Sequence, residues 1–368
     1  MKPFKIHVAE EVLEDLRARL RRTRWPDEVP GIGWKQGTNL DWLRHLVSYW
    51  ADEFDWSSWE QKLGTFDHFM WEGVHFVYRR AASGRGVPII LTHGWPSSFL
   101  DYLDMLPVLE DFDVVVPSLP GYGFSARPPR VGINYRYVSG MWHRLMSALG
   151  YSRYAAAGYD FGAGVTTLLA LDHPESVMGI YLTSLESDLT PVVDDAELSE
   201  AERAYLAVNR TWDLTERGYS SIQSTKPQTL GYGLNDSPAG LAAYIGEKWQ
   251  SWSDVTPSDD FLCATLTLYW VTQTITSSMR DYWDNRWHPV ERAYIGAPTG
   301  FGVFAHQKVP EGEPPRSYLE RVYNIQRWTV FPRGGHFAPT EQPAAVAEEL
   351  KTFFLRDLET HAHRVGRQ

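Results

Sequence analysis

The residues best suited to chemistry are the five of Gly158-Tyr159-Asp160-Phe161-Gly162. A short apolar run, Tyr154 to Ala157, precedes them, and a helix-like stretch, Ala163 to Leu171, follows. Glycines on both sides of a central residue fit a strand–turn–helix elbow, where the turn leaves no room for side chains. The usual central residue is serine, and here it is aspartate. A carboxylate oxygen that attacks carbon leaves an alkyl ester, so the implied substrate is an epoxide or an alkyl halide rather than an ester.

Two further clusters fit this elbow. His93-Gly94-Trp95-Pro96 follows the apolar run Val87 to Leu91. In a strand–elbow–helix scaffold the loop there lends a backbone N–H to an oxyanion hole, so the Trp95 and Phe161 amides are the expected pair. Gly334-Gly335-His336-Phe337 follows the last strand-like run, where such scaffolds supply a base, and the near-neutral pKa of histidine suits His336 to that task. An acid to orient it is expected after the preceding strand. The loop Ala297 to Gln307 holds no carboxylate, and the next are Glu311 and Glu313.

The elements that must position these residues are legible as an α/β pattern. Strand-like runs Val87–Leu91, Phe112–Val116, Tyr154–Ala157 and Val177–Thr183 alternate with helical stretches Ser97–Leu109, Tyr137–Leu149 and Ala163–Leu171. This predicts a mostly parallel sheet with helices on both faces. Strands are expected to resume at Ala293–Ile295 and Gln326–Phe331, with a final helix over Pro343–Phe354. Residues 1–85 read as an N-terminal extension, with helices over Glu10–Arg22 and after the capping Asn39, and strands over Phe66–Arg80. The expected core comprises 86–187 and 293–368, and 188–292 is expected to form an inserted helical lid rich in Tyr and Trp.

The 368 residues carry 35 Lys and Arg against 46 Asp and Glu, a net charge of −11 without a basic tract, which argues against a nucleic-acid partner. The single cysteine, Cys263, permits no intramolecular disulfide. No apolar h-region or membrane-length apolar run occurs, so a soluble, cytoplasmic protein without a membrane anchor is expected. No metal motif and no dinucleotide fingerprint appears, so no metal and no cofactor is expected. A homodimer is left open.

The chain resembles the epoxide hydrolases of microsomal type, within the α/β-hydrolase fold. The resemblance rests on Asp52-Glu53-Phe54-Asp55-Trp56, His93-Gly94-Trp95-Pro96, the elbow, Gln223 to Thr229, Leu234 to Ala242, and Arg333 to Ala338. It implies that Asp160 opens an epoxide to a glycol monoester, and that a water activated by His336 hydrolyses the ester to a vicinal diol. It also implies two lid tyrosines donating to the epoxide oxygen, by position Tyr219 and Tyr269. The chain departs from the family at Gln307, which stands where the family has the acid that orients the histidine. A carboxylate elsewhere, Glu186 or Glu311 or Glu313, could take over. Alternatively Gln307 serves with slower ester hydrolysis, or the scaffold performs ring-opening, cyclisation or binding alone. The aromatic lid favours a bulky, largely apolar epoxide. A haloalkane dehalogenase shares the aspartate and histidine but needs halide donors rather than two phenols.

Overall fold

The computed structural model describes residues 1–185, 193–291 and 293–358. The described strands form one sheet: β1 (Lys2–Pro3), β2 (His68–Trp71), β3 (Val74–Arg79), β4 (Val87–Thr92), β5 (Phe112–Pro117), β6 (Tyr154–Gly158), β7 (Val177–Leu182), β8 (Ile295–Phe304) and β9 (Tyr323–Phe331). Their spatial order is β1-β2-β3-β5-β4-β6-β7-β8-β9. The β1/β2, β2/β3 and β3/β5 pairs are antiparallel and the rest are parallel. Ile89–Leu91 and Val114–Val116 are fully buried, as continuous apolar strands covered on both faces must be.

Helices α1 (Glu10–Arg21), α2 (Leu40–Asp52) and α3 (Trp56–Leu63) precede the sheet proper, and α4 (Tyr135–Ala148) and α5 (Phe161–Asp172) connect its central strands. The capping predicted for Asn39 is present, its side chain accepting from the Trp42 amide at 2.9 Å. Between β7 and β8 the chain runs through α6 (Glu200–Thr215), α7 (Gly218–Gln223), α8 (Pro227–Asp236), α9 (Pro238–Trp252), α10 (Asp259–Thr272) and α11 (Ile275–Trp287). Three shorter helices follow: α12 (Arg316–Glu320), α13 (Ala338–Glu341) and α14 (Pro343–Lys351).

The N-terminal helices grip the inserted ones. Trp50 Nε1 donates to Thr267 Oγ1 at 2.8 Å, and Trp59 Nε1 donates to the Asp260 carboxylate at 2.8 Å. Thr38 Oγ1 donates to the Ala243 carbonyl at 2.7 Å. Each bond ties residues 1–85 to α9 or α10, and α2 packs against both helices.

Three elements differ from expectation. The Ser97–Leu109 stretch winds as a 3-10 turn over Phe99–Met105, because Pro107 removes a donor from a longer helix. Strand β8 is longer than the sequence implies, running from Ile295 through Phe304. Pro298 and three glycines lower its strand propensity, but β7 and β9 pair with it on both sides and its register absorbs two irregularities. Strand β1 carries too little pattern to be read, since it has two residues and owes its state to β2.

Candidate active site

Asp160 sits at the C-terminal end of β6, immediately before α5, with φ +51° and ψ −134°. An L-residue holds this left-handed region only under constraint. Two constraints are visible. The Asp160 amide donates to Ser184 Oγ at 2.6 Å, and the Asp160 carbonyl accepts from the Ala163 amide at 2.8 Å. The flanking glycines follow from packing: a Cβ on Gly162 would fall 1.9 Å from the Thr92 carbonyl oxygen, and one on Gly158 would fall 2.4 Å from the Gly162 carbonyl oxygen. Gly94, opposite the elbow, is also required, since its Cβ would fall 2.3 Å from Asp160 Cβ.

The turn aims the carboxylate at two backbone donors and a histidine ring. Oδ1 accepts from the Trp95 amide at 2.8 Å and from the Phe161 amide at 2.7 Å. Oδ2 lies 3.3 Å from His336 Nε2. The two amides expected from sequence therefore converge on one oxygen, and the expected histidine faces the other.

His336 lies in the loop after β9 and is 3 % exposed. Its amide donates to the Trp252 carbonyl at 3.0 Å. Its ring stands edge-on to Trp252, Phe337 and Tyr159, with centroids 5.0, 5.0 and 5.8 Å away. Glu341 closes the loop, accepting from the amides of Asp254 at 2.7 Å and Phe337 at 3.2 Å. Burial raises the Glu341 pKa even so. His336 Nδ1, buried, finds no hydrogen-bond partner among the described residues.

Gln307 stands on the loop following β8, as the position of the family acid requires, but it does not reach His336. Its Oε1 accepts from the Val309 amide at 3.2 Å, and its side chain packs on Gly312, where a Cβ would fall 2.0 Å from Nε2. Glu313 is exposed. Glu186 and the Glu311 side chain lie outside the described residues.

The two lid tyrosines named from sequence part ways. Tyr219, on α7, lines the cavity over Asp160 and stacks on Trp95 with centroids 5.5 Å apart and planes within 8°. Tyr269 does not line it: its hydroxyl donates to the Ser97 carbonyl at 2.9 Å, and burial holds its pKa well above the usual phenol value. The expectation for Tyr269 is therefore corrected. Tyr282, on α11, takes the second place. It lines the cavity, its ring 4.6 Å from Phe161, 5.7 Å from Trp95 and 5.8 Å from Tyr219. The signal for it was present, because Ile275, Met279 and Tyr282 follow the spacing of one helical face. Sequence reasoning also missed Ser184 and Arg217, both of which line the cavity.

The cavity holds about 50 Å³, bounded by Asp160, Ser184, Tyr219, Trp252, Tyr282 and His336 among others. His93 lies beneath it as a structural group. Nδ1 donates to the Gly94 carbonyl, Nε2 accepts from the Leu119 amide at 3.1 Å, and burial lowers its pKa to about 4. Among the described residues no group of three or more His, Cys, Asp or Glu is placed to hold a metal ion, and no helix is long and apolar enough to cross a membrane.

A mostly parallel sheet carrying an aspartate elbow, with a histidine after the last strand, defines an enzyme of the α/β-hydrolase fold. Residues 87–225 match the family described as alpha/beta hydrolase fold, and residues 1–102 match Epoxide hydrolase N terminus. The chain is 31% identical to Epoxide hydrolase 1 of Sus scrofa, over 96% of this chain and 88% of that protein. It is 30% identical to Juvenile hormone epoxide hydrolase 2 of Ctenocephalides felis, over 99% of this chain and 87% of that protein. The structure resembles the Aspergillus niger epoxide hydrolase with a TM-score of 0.86 at 29% identity, covering 96% of this chain and 95% of that one. The chain belongs to the epoxide hydrolase family, microsomal type included.

Proposed function

We propose that Asp160 opens an epoxide through a covalent ester that His336 then helps water to hydrolyse. The supporting observation is the division of labour between the Asp160 oxygens. With Oδ1 held by two amides, Oδ2 is the oxygen left to attack an epoxide carbon. The C–O bond of the ring breaks as the Oδ2–C bond forms. Tyr219 and Tyr282 supply the proton or hydrogen bonds that the leaving alkoxide needs, since an unassisted alkoxide is too basic to depart. Two phenols over the nucleophile favour an epoxide over an alkyl halide.

In the ester, Oδ1 is the carbonyl oxygen and already lies between its donors. Water attacks Cγ, His336 Nε2 takes the water proton, and the negative charge on Oδ1 falls on the Trp95 and Phe161 amides. Collapse breaks the Cγ–Oδ2 bond as the His336 imidazolium returns its proton to Oδ2, and the diol leaves with that oxygen. The carboxylate is remade with an oxygen from water. A single turnover in ¹⁸O-water therefore places the label in the Asp160 peptide and not in the diol. Label in the diol would mean direct attack by water and would remove the ester from the mechanism.

In this reading ester hydrolysis limits turnover. Imidazolium forms in that step, and Gln307 brings it neither charge nor a hydrogen bond. The substrate is read as an epoxide with an apolar body, because Phe161, Leu185, Tyr219, Trp252, Tyr282 and Val309 are six of the ten residues that line the cavity. The small enclosed volume admits the reacting end of such a molecule, and a bulky remainder must pass between the inserted helices.

A further inference from the structure

Arg217 is the one Lys or Arg among the described residues lining the cavity over Asp160. It lies between α6 and α7, two residues before Tyr219. Its guanidinium pairs with Asp213 one turn earlier and lies over the Trp212 ring, 5.0 Å from the centroid. Its side chain is 25 % exposed, against 13 % for Asp160, while that of Asp213 is 49 % exposed. A second cation stands behind the same wall. Lys248 is buried, with Nζ 4.6 Å from the Tyr219 centroid and 5.6 Å from that of Trp252, paired with Glu247.

A cation costs free energy to hold at the edge of an aromatic cavity, and an apolar epoxide gives it nothing to do. The chain as a whole is acidic, and the nucleophile is itself an anion, so an anionic ligand would be repelled unless the wall carried positive charge. A guanidinium is suited to a carboxylate because its planar N–H groups can bond both oxygens at once. Asp213, half exposed, can yield the guanidinium to a substrate carboxylate and remain solvated.

We infer that the substrate is amphipathic, an epoxide whose apolar body ends in a carboxylate, and that Arg217 is the residue that selects for this group. The inference rests on the reading of Asp160 as the attacking group. Arg217 acts on the substituent and not on the reacting atoms.

The test uses terminal epoxides carrying a carboxylate at increasing methylene distance, each matched with the primary alcohol of the same length. At one chain length the wild-type enzyme should favour the acid in kcat/KM by about ten- to a hundredfold, the range expected for hydrogen bonds to a charged group. Arg217→Gln should lower kcat/KM for the acid by about that factor more than for the alcohol, through KM. Arg217→Lys should keep part of the preference. Asp213→Asn, which removes the competing carboxylate, should increase it. Turnover of the alcohols without acid preference at any length overturns this inference alone, as does an Arg217→Gln variant that loses both substrates equally. Failure of the wild-type enzyme to open either kind of epoxide overturns the reading of Asp160 and this inference with it.

Discussion

The Gln307 side chain turns toward Val309, whose amide it accepts at 3.2 Å, and makes no hydrogen bond to His336. The histidine is instead placed by its own backbone and by three aromatic edges. Those contacts fix the ring position but do not select the tautomer with the proton on Nδ1, nor stabilise the imidazolium. In a serine-protease triad an acid-to-amide change costs about 10⁴ in turnover. Gln307→Glu is therefore expected to speed ester hydrolysis by roughly 10² or more, part of the gain being lost to repositioning. Rapid-quench kinetics should show the accumulated ester disappearing. An unchanged hydrolytic rate would mean that another group already serves His336.

Asp160→Asn should abolish turnover, by a factor of about 10⁴ or more. The amide preserves the shape of the elbow, so the loss is not one of folding. Intact mass after mixing with an epoxide should show one adduct on the wild-type chain and none on the variant. An adduct on the variant would place the nucleophile elsewhere.

His336→Gln should separate the two steps. Ring opening continues and one equivalent of ester accumulates, while hydrolysis slows by roughly 10³. The signature is a stoichiometric burst without steady-state turnover. If ring opening is lost to the same degree, His336 does not act in the second step alone.

The tyrosines give a paired comparison. Tyr219→Phe and Tyr282→Phe should each slow ring opening by about 10², the usual size of a general-acid contribution. Tyr269→Phe should leave ring opening unchanged and cost about 1 kcal/mol of stability, the worth of its bond to Ser97. A catalytic loss in Tyr269→Phe would restore the assignment made from sequence.

Stability should stay nearly level from pH 7 to 5 and fall below about pH 4.5. Burial holds His68 and His75 below the usual histidine pKa, His75 well below, and brings His93 to about 4. The unfolded chain protonates these residues below about 6.5, so it binds more protons than the folded one. Their contribution is complete above that pH and is lost as pH falls toward 4. Asp101 opposes them. Burial lifts its carboxyl to about 6, so the folded chain holds a proton there that the unfolded chain has lost. Burial raises the Asp281, Glu313 and Glu341 carboxyls in the same way and lowers His173, so four acids stand against four histidines and little net proton uptake accompanies unfolding in this range. Below about pH 4.5 the unfolded chain protonates Glu202, which the Arg321 guanidinium holds at about 2 in the fold. Urea midpoints should therefore be nearly level from pH 7 to 5 and decline below about 4.5, and a steep decline already at about pH 6 would contradict this sum.

The parts of the site legible in the sequence are those that depend on short-range geometry. The elbow, the His93 loop and the His336 loop each carry their own turn chemistry, and the first two follow strands whose apolar runs are unmistakable. The failures are long-range. Tyr269 and Tyr282 are both aromatic residues on inserted helices, and only the packing of α10 against α2 and α9, and of α11 against α7 and α8, decides which faces Asp160. Arg217 reads as an ordinary helix-end ion pair until α7 is folded over the sheet. Strand β8 reads as loop because its pairing with β7 and β9 overrides the local preferences of Gly and Pro.

The bonds that Thr38, Trp50 and Trp59 make to the inserted helices bear on the thermodynamics of binding. Walls already fastened to the N-terminal helices need not be ordered when substrate arrives. The heat-capacity change on binding to an Asp160→Asn protein should then scale with the apolar area of the ligand alone. Cutting those fastenings would add the signature of coupled folding to the calorimetric trace.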